Sequence, residues 1–164
     1  MCPPELAKKL ALLGITVVTT PAFLYYHGSR YLRTIPAEEI PFLYPLGTLK
    51  KHGVHLAAGS DSPMAPIDPL MGIYGAAFRK TETGEVVRQE ERIGILEALR
   101  LYTIQAAEAS FEEEIKGSIS PGKMADLVVL NEDPTRLPSE RIKDLRVEMT
   151  ILGGKVVWER DPKR

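Results

Sequence analysis

The sequence predicts an α/β protein in which helices and parallel strands alternate over residues 1–116 and an antiparallel β unit fills 117–160. Three observations point there. Helix-like and strand-like stretches succeed each other twice before Gly59, a pattern that asks for helical crossovers between parallel strands. A short apolar strand, His55-Leu-Ala-Ala-Gly59, stops abruptly in Ser60 and one carboxylate, Asp61. Near the other end, Arg146-Val-Glu-Met-Thr-Ile-Leu152 alternates polar with apolar residues, turns at Gly153-Gly154 and returns through Lys155 to Glu159.

Taken in order, Pro3 and Pro4 open a helix over residues 5–13 whose Leu6, Leu10 and Leu13 share a face and which Gly14 ends. Ile15 to Thr20 is β-branched at every position and bounded by Gly14 and Pro21, the profile of a buried parallel strand. The polar and aromatic stretch holding Tyr25, Tyr26, His27, Gly28, Arg30 and Tyr31 reads as a loop. Pro45 to His52 makes a short helix ended by Gly53, and Val54 to Gly59 is the next strand. Residues 61–92 form a long excursion punctuated by Pro63, Pro66 and Pro69, with a short helix from Pro69 to Phe78 and a charged, exposed stretch up to Arg92. Ile95, Leu99 and Tyr102 then repeat at i, i+4 and i+7 in an amphipathic helix from Ile93 to about Ala109, with a break near Thr103. Gly117 to Gly122 is turn-rich, Ala125 to Leu130 is a strand, Asn131 to Pro138 is a loop, and the hairpin closes the chain, with Trp158 covering one of its faces. Asp161 to Arg164 are expected to fray.

Composition narrows the function. The 164 residues carry 21 Lys plus Arg against 22 Asp plus Glu, a net charge of -1, so no overall field draws nucleic acid or anionic lipid. At 44% hydrophobic and 26% charged, the chain has the makeup of a globular protein. No apolar run approaches the roughly 20 residues of a membrane span, and no export signal is visible. The single Cys2 forms no internal disulfide, which fits a reducing, cytoplasmic setting.

Asp61 leads the candidate residues. A carboxylate just past the C-terminal end of a buried strand sits where a strand-and-helix core gives way to functional loops. The same residue also suits a cap or turn before Ser62-Pro63, so two readings stand on the residues alone. His27, on the same side, is either a substrate or metal contact or a solvated loop histidine. Arg79 is either a two-pronged donor to a substrate carbonyl or carboxylate, or an exposed arginine in a charged stretch. His52 at a helix C-terminus and His55 at the far end of its strand are poor ligands, and none of the three histidines forms a His-x-His pair. Cys2 has no neighbouring histidine and is a poor nucleophile, Tyr25, Tyr26 and Tyr31 pack the loop down, and Asp126 is structural.

One further pattern runs nearly end to end. Gly-Ser-Asp-Ser-Pro (59–63), Pro-Leu-Met-Gly-Ile-Tyr (69–74), Ala-Ala-Phe-Arg (76–79), Glu97-Ala-Leu-Arg-Leu-Tyr-Thr103, Ala106-Ala107 and Lys116-Gly-Ser-Ile-Ser-Pro-Gly-Lys-Met-Ala-Asp-Leu-Val-Val-Leu130, in this order, resemble the C-terminal part of a metal-dependent amidohydrolase, in the branch with a predicted TIM-barrel fold. The resemblance implies a partial TIM-type (β/α) barrel over 1–116, with the last two strands and their helices, followed by part of a small composite β-sandwich over 117–160. It implies hydrolysis of carbon-nitrogen bonds other than peptide bonds on a small amide-type substrate. Asp61 would be metal ligand and general base; zinc would be the favoured divalent metal. The family's other ligands would precede Met1, so the resemblance makes the chain a fragment, inactive alone and unable to hold its metal tightly. Two rival expectations stand beside it. One is a non-catalytic module that self-associates, or completes a barrel with another polypeptide, through exposed strand edges. The other is a small complete α/β enzyme using Asp61 with His27.

Overall fold

In the computed structural model, which describes residues 1–161, the helix-strand alternation is realised as α1 (Pro4–Leu12), β1 (Val17–Thr19), α2 (Ala22–Thr34), α3 (Leu46–Lys51) and β2 (Leu56–Ala58). α4 (Pro69–Phe78), α5 (Ile95–Leu101) and α6 (Ile104–Ala109) follow, then β3 (Leu127–Leu130), β4 (Val147–Leu152) and β5 (Lys155–Glu159). The fraying expected from Asp161 onward lies, past Asp161 itself, outside the described residues.

β1 and β2 pair in parallel, with Val17 opposite Leu56 and Thr19 opposite Ala58. All three residues of β2 are buried, whereas Val18 of β1 is 63% exposed. The expectation of a fully buried first strand is therefore corrected: β-branching records the pleated backbone, and a side chain is buried only where another element packs over its face of the sheet, as happens for β2 and not for Val18. Along the free edge of β1 runs a slot of about 220 Å3, bounded by Val17 to Thr20, Tyr44 and Leu49.

α4 is the central helix. Its Pro-Leu-Met-Gly-Ile-Tyr-Gly-Ala-Ala run is apolar on every side, as an enclosed helix must be, and Leu70 to Ala77 are all buried. Asp68 caps it by accepting the Leu70 N–H at 2.9 Å. α2 packs on α4 from one side and α5 from the other. Leu24, Leu46 and Leu101, each at most 2% exposed, contribute roughly 1.5–3 kcal/mol apiece through burial. The amphipathic helix expected over 93–109 is two helices, broken at Thr103; Ala98, Leu101 and Ala107 are their buried residues, with Ile95, Leu99 and Tyr102 half-buried at the margin.

Helix α2 replaces the loop expected over 25–31. Gly28, read as a loop signal, is there for packing: a Cβ at this position would lie 2.6 Å from Thr81 Cγ2 and 3.3 Å from Val87 Cγ2. The helix ends at Thr34, where Pro36 imposes extended backbone on Ile35.

The second sheet has order β3-β4-β5, antiparallel throughout. Gly153 and Gly154 turn β4 into β5 with φ of 56° and 79°, the left-handed pair a tight hairpin needs. A short 3-10 helix, Ser139–Asp144, ties this sheet back, with Ile142 and Leu145 buried in the α4 core. Asp126 accepts the Gly153 N–H at 2.8 Å, a structural bond across the sheet's end. Trp158 is 46% exposed, with Arg160 stacked 5.8 Å from its ring. A groove of about 600 Å3 lies between α6 and the unpaired edge of β3, lined by Tyr102, Ala106, Ala107, Ile119, Leu127 and Val129.

Candidate functional site

The C-terminal ends of β1 and β2 bring Thr20 and Gly59-Ser60-Asp61 to one side of the molecule. Gly59 N–H still donates to Thr19 at 2.9 Å, so the pairing holds to the last residue before the turn. Asp61 has φ 55°, in the left-handed region that aspartate tolerates better than most residues. Its carbonyl accepts the Met64 N–H at 2.9 Å and closes the turn. Capping is done by others: Ser60 Oγ accepts from Ser62 N–H at 3.3 Å, and Asp68 caps α4. The exposed Asp61 carboxylate is thus not spent on the cap that one reading assigned to it. It stands at the rim and does not line the β1 slot.

Tyr44 does line that slot, and sequence reasoning missed it. Its backbone is left-handed at φ 47°, its hydroxyl lies 3.5 Å from Thr20 Oγ1, and its ring stacks on Tyr31 with centroids 6.3 Å apart. Burial pushes the phenol up to about 12, with Tyr31 and the charge of Asp61 adding to the rise and Thr20 opposing it. A tyrosine kept neutral beside a carboxylate is a hydrogen-bond donor at neutral pH. Thr20, placed like Asp61 at a strand end, points to this side of the molecule, but nothing local marks Tyr44, which only the fold brings to Thr20.

Arg79 is the largest fully buried side chain, which corrects the exposed-arginine reading. Its Nε donates to Val87 O at 2.8 Å, Nη1 to Tyr44 O at 2.6 Å and Nη2 to Leu43 O at 3.1 Å. Burial lowers the guanidinium to about 10 while Glu91 and Glu90 oppose the fall, so it stays charged at neutral pH. The charged stretch to Arg92 is likewise only partly exposed. Thr81, Val87 and Glu91 are buried, and Glu91 accepts from Thr48 N at 2.7 Å and Thr48 Oγ1 at 2.6 Å at the start of α3. The physical reason is satisfied polarity: charges enter a core when every donor and acceptor finds a partner.

His27 sits on α2, half-buried, with Nε2 3.2 Å from Met64 O. It therefore touches the turn that Asp61 opens. Arg79 lies beneath, reaching the mouth only through the Tyr44 backbone. Tyr25 and Tyr26 pack against the α4 core, Tyr25 edge-on to Tyr74 at 5.6 Å. Cys2 is partly buried, which raises its thiol and makes it a poorer nucleophile.

Among the described residues no three of His, Cys, Asp or Glu converge in a way that could hold a metal ion. A divalent metal needs about four ligands. The donors among the described residues therefore do not by themselves fit one. Among the described residues no helix is long and apolar enough to cross a membrane.

Comparison with known proteins bears on what these residues belong to. The amidohydrolase family model matches residues 1–158. The Bacillus subtilis (strain 168) protein YtcJ is 29% identical over 159 residues, covering 95% of this chain and 30% of YtcJ. N-substituted formamide deformylase of Arthrobacter pascens is 31% identical over 154 residues, covering 93% of this chain and 28% of the deformylase. An uncharacterized metal-dependent hydrolase from Pyrococcus furiosus superposes with a TM-score of 0.67 at 26% identity, over 80% of this chain and 26% of that one. The chain thus spans under a third of the length of the curated relatives it is compared with here.

Proposed function

Because the chain belongs to the amidohydrolase family, we propose that it forms the C-terminal region of a metal-dependent hydrolase acting on carbon-nitrogen bonds of small, non-peptide amides. Residues 1–116 are the last two strands and helices of a (β/α) barrel, and 117–160 part of a small β-sandwich whose remainder covers the groove beside β3. The free edge of β1 supports this reading, since a parallel strand is ordinarily paired on both sides and covered by helices. The observation that carries the proposal is Asp61: an exposed carboxylate, held in left-handed backbone at the end of the buried β2 strand and free of capping duty.

In this reading the Asp61 carboxylate accepts a proton from the attacking water and later returns it to the departing amine, as a positioned acid-base group does. The neutral Tyr44 hydroxyl, close enough to feel the charge of Asp61, and Thr20 Oγ1, 3.5 Å from that hydroxyl, orient a polar substrate atom. Asp61 is also this chain's one contribution to the metal site, whose other donors lie outside these 164 residues, with zinc favoured by a mixed histidine and carboxylate set. The metal content of the purified 164-residue chain, measured alongside amine release from simple formamides and amides, tests the division of labour. Metal far below one equivalent and no turnover are expected; tightly bound stoichiometric zinc would overturn it.

A second reading, self-association through strand edges, is favoured by one observation, the unpaired edges of β1 and β3. Size-exclusion chromatography over a concentration series separates it, since a module of that kind grows with concentration.

A further inference from the structure

We infer that His27 is the positioning residue of Asp61, a strut from α2 that seats the turn carrying the carboxylate, and not itself a substrate or metal contact. The inference rests on the reading of Asp61 as the reacting group.

The geometry is a chain of four contacts. Leu24 and Gly28 anchor α2 in the interior, Leu24 fully buried and Gly28 pressed against Thr81 and Val87. Between them on the helix, His27 points its ring toward the mouth, where Phe23 meets it edge-on at 5.0 Å and Tyr31 at 6.3 Å. Nε2 then lies 3.2 Å from the Met64 carbonyl. A carbonyl oxygen has no proton to give, so Nε2 carries the hydrogen and donates it. Met64 N–H in turn donates to the Asp61 carbonyl at 2.9 Å, which fixes the left-handed backbone of Asp61.

The need for such a strut follows from exposure. Residues 61–64 are all exposed, so no packing holds their backbone in place. A reacting carboxylate has to be held to within about 0.5 Å and 10–20° of its working position. His27 supplies the connection to the interior that the turn lacks. With Nε2–H so engaged, only Nδ1 keeps a lone pair, and the ring's ligand capacity is halved.

Amide hydrogen exchange at Met64 in the intact 164-residue chain tests this, by NMR, in wild type and in His27→Phe, His27→Leu and His27→Gln. Phe keeps the aromatic packing but has no N–H; Gln returns an amide N–H close to Nε2. Met64 exchange should quicken roughly fivefold in His27→Phe and stay within about twofold of wild type in His27→Gln, with the Leu24 and Leu56 amides unchanged in both. His27→Leu replaces Phe in the comparison if the larger ring does not fold. Wild-type protection in the apolar variant would overturn the inference, as would exchange in His27→Gln as fast as in that variant, or an equal rise at Leu24 and Leu56. Substituting Asp61 at its carboxylate leaves the Met64-to-carbonyl bond in place, so loss of the catalytic reading and loss of the strut are separable results.

Discussion

The two halves of the excursion between β2 and α5 treat charge in opposite ways. Residues 60–68 leave Asp61 and Asp68 exposed on a turn held by a few hydrogen bonds, while residues 79–91 bury Arg79 and Glu91 and satisfy them with five. The lesson is that a charge in the wall and a charge at the mouth have different jobs. The buried pair fixes the Leu43-Tyr44 backbone and the start of α3. Of the two exposed carboxylates Asp68 caps α4, whereas Asp61 keeps its lone pairs for something that is not part of the scaffold.

Substitutions sharpen that contrast, beginning with the largest effect. Arg79→Ala strands two buried carbonyls and a partly buried one and should cost roughly 3 kcal/mol or more in urea unfolding. Arg79→Lys should recover only part of it, because one ammonium cannot reproduce a planar fork. An Arg79→Ala loss below about 1 kcal/mol would break the comparison. Asp68→Ala removes the α4 cap and should cost about 1 kcal/mol. Asp61→Asn, by contrast, should lie within about 0.5 kcal/mol of wild type, since among the described residues no fold contact depends on its charge.

Alkaline titration addresses Tyr44. Its folded value of about 12 exceeds the ordinary tyrosine value near ~10, so the folded state holds the proton longer. The associated stability is fully present below the unfolded value and is lost as pH rises through the folded one. Tyr44→Phe should therefore flatten the fall in stability between about pH 10 and 12, read from melting temperatures. An unchanged slope would mean that the phenol is solvated.

Much of this was legible in the sequence. Pro69 to Phe78 is a helix with the expected bounds, and the hairpin turns at Gly153-Gly154, because a proline start and a glycine pair are local signals that tertiary structure leaves alone. Helix α2 was not legible. Its aromatic run and Gly28 imitate a loop, and the reason for the glycine is a neighbour more than fifty positions away, Thr81. Arg79 was misread for the same cause: its partners at 43, 44 and 87 are brought to it only by the fold. Asp61 could be found from the strand that ends before it, whereas Tyr44 could not, since its approach to Thr20 depends on the buried guanidinium behind it.

The account turns on Asp61 as the reacting carboxylate of a carbon-nitrogen hydrolase. The most direct test is the rate of amine release by the polypeptide of the complete reading frame that encodes these residues, wild type against Asp61→Asn, with formamides and simple amides as substrates. The account predicts a fall in kcat/KM of about 10³ with folding intact. Activity within about threefold of wild type would contradict it.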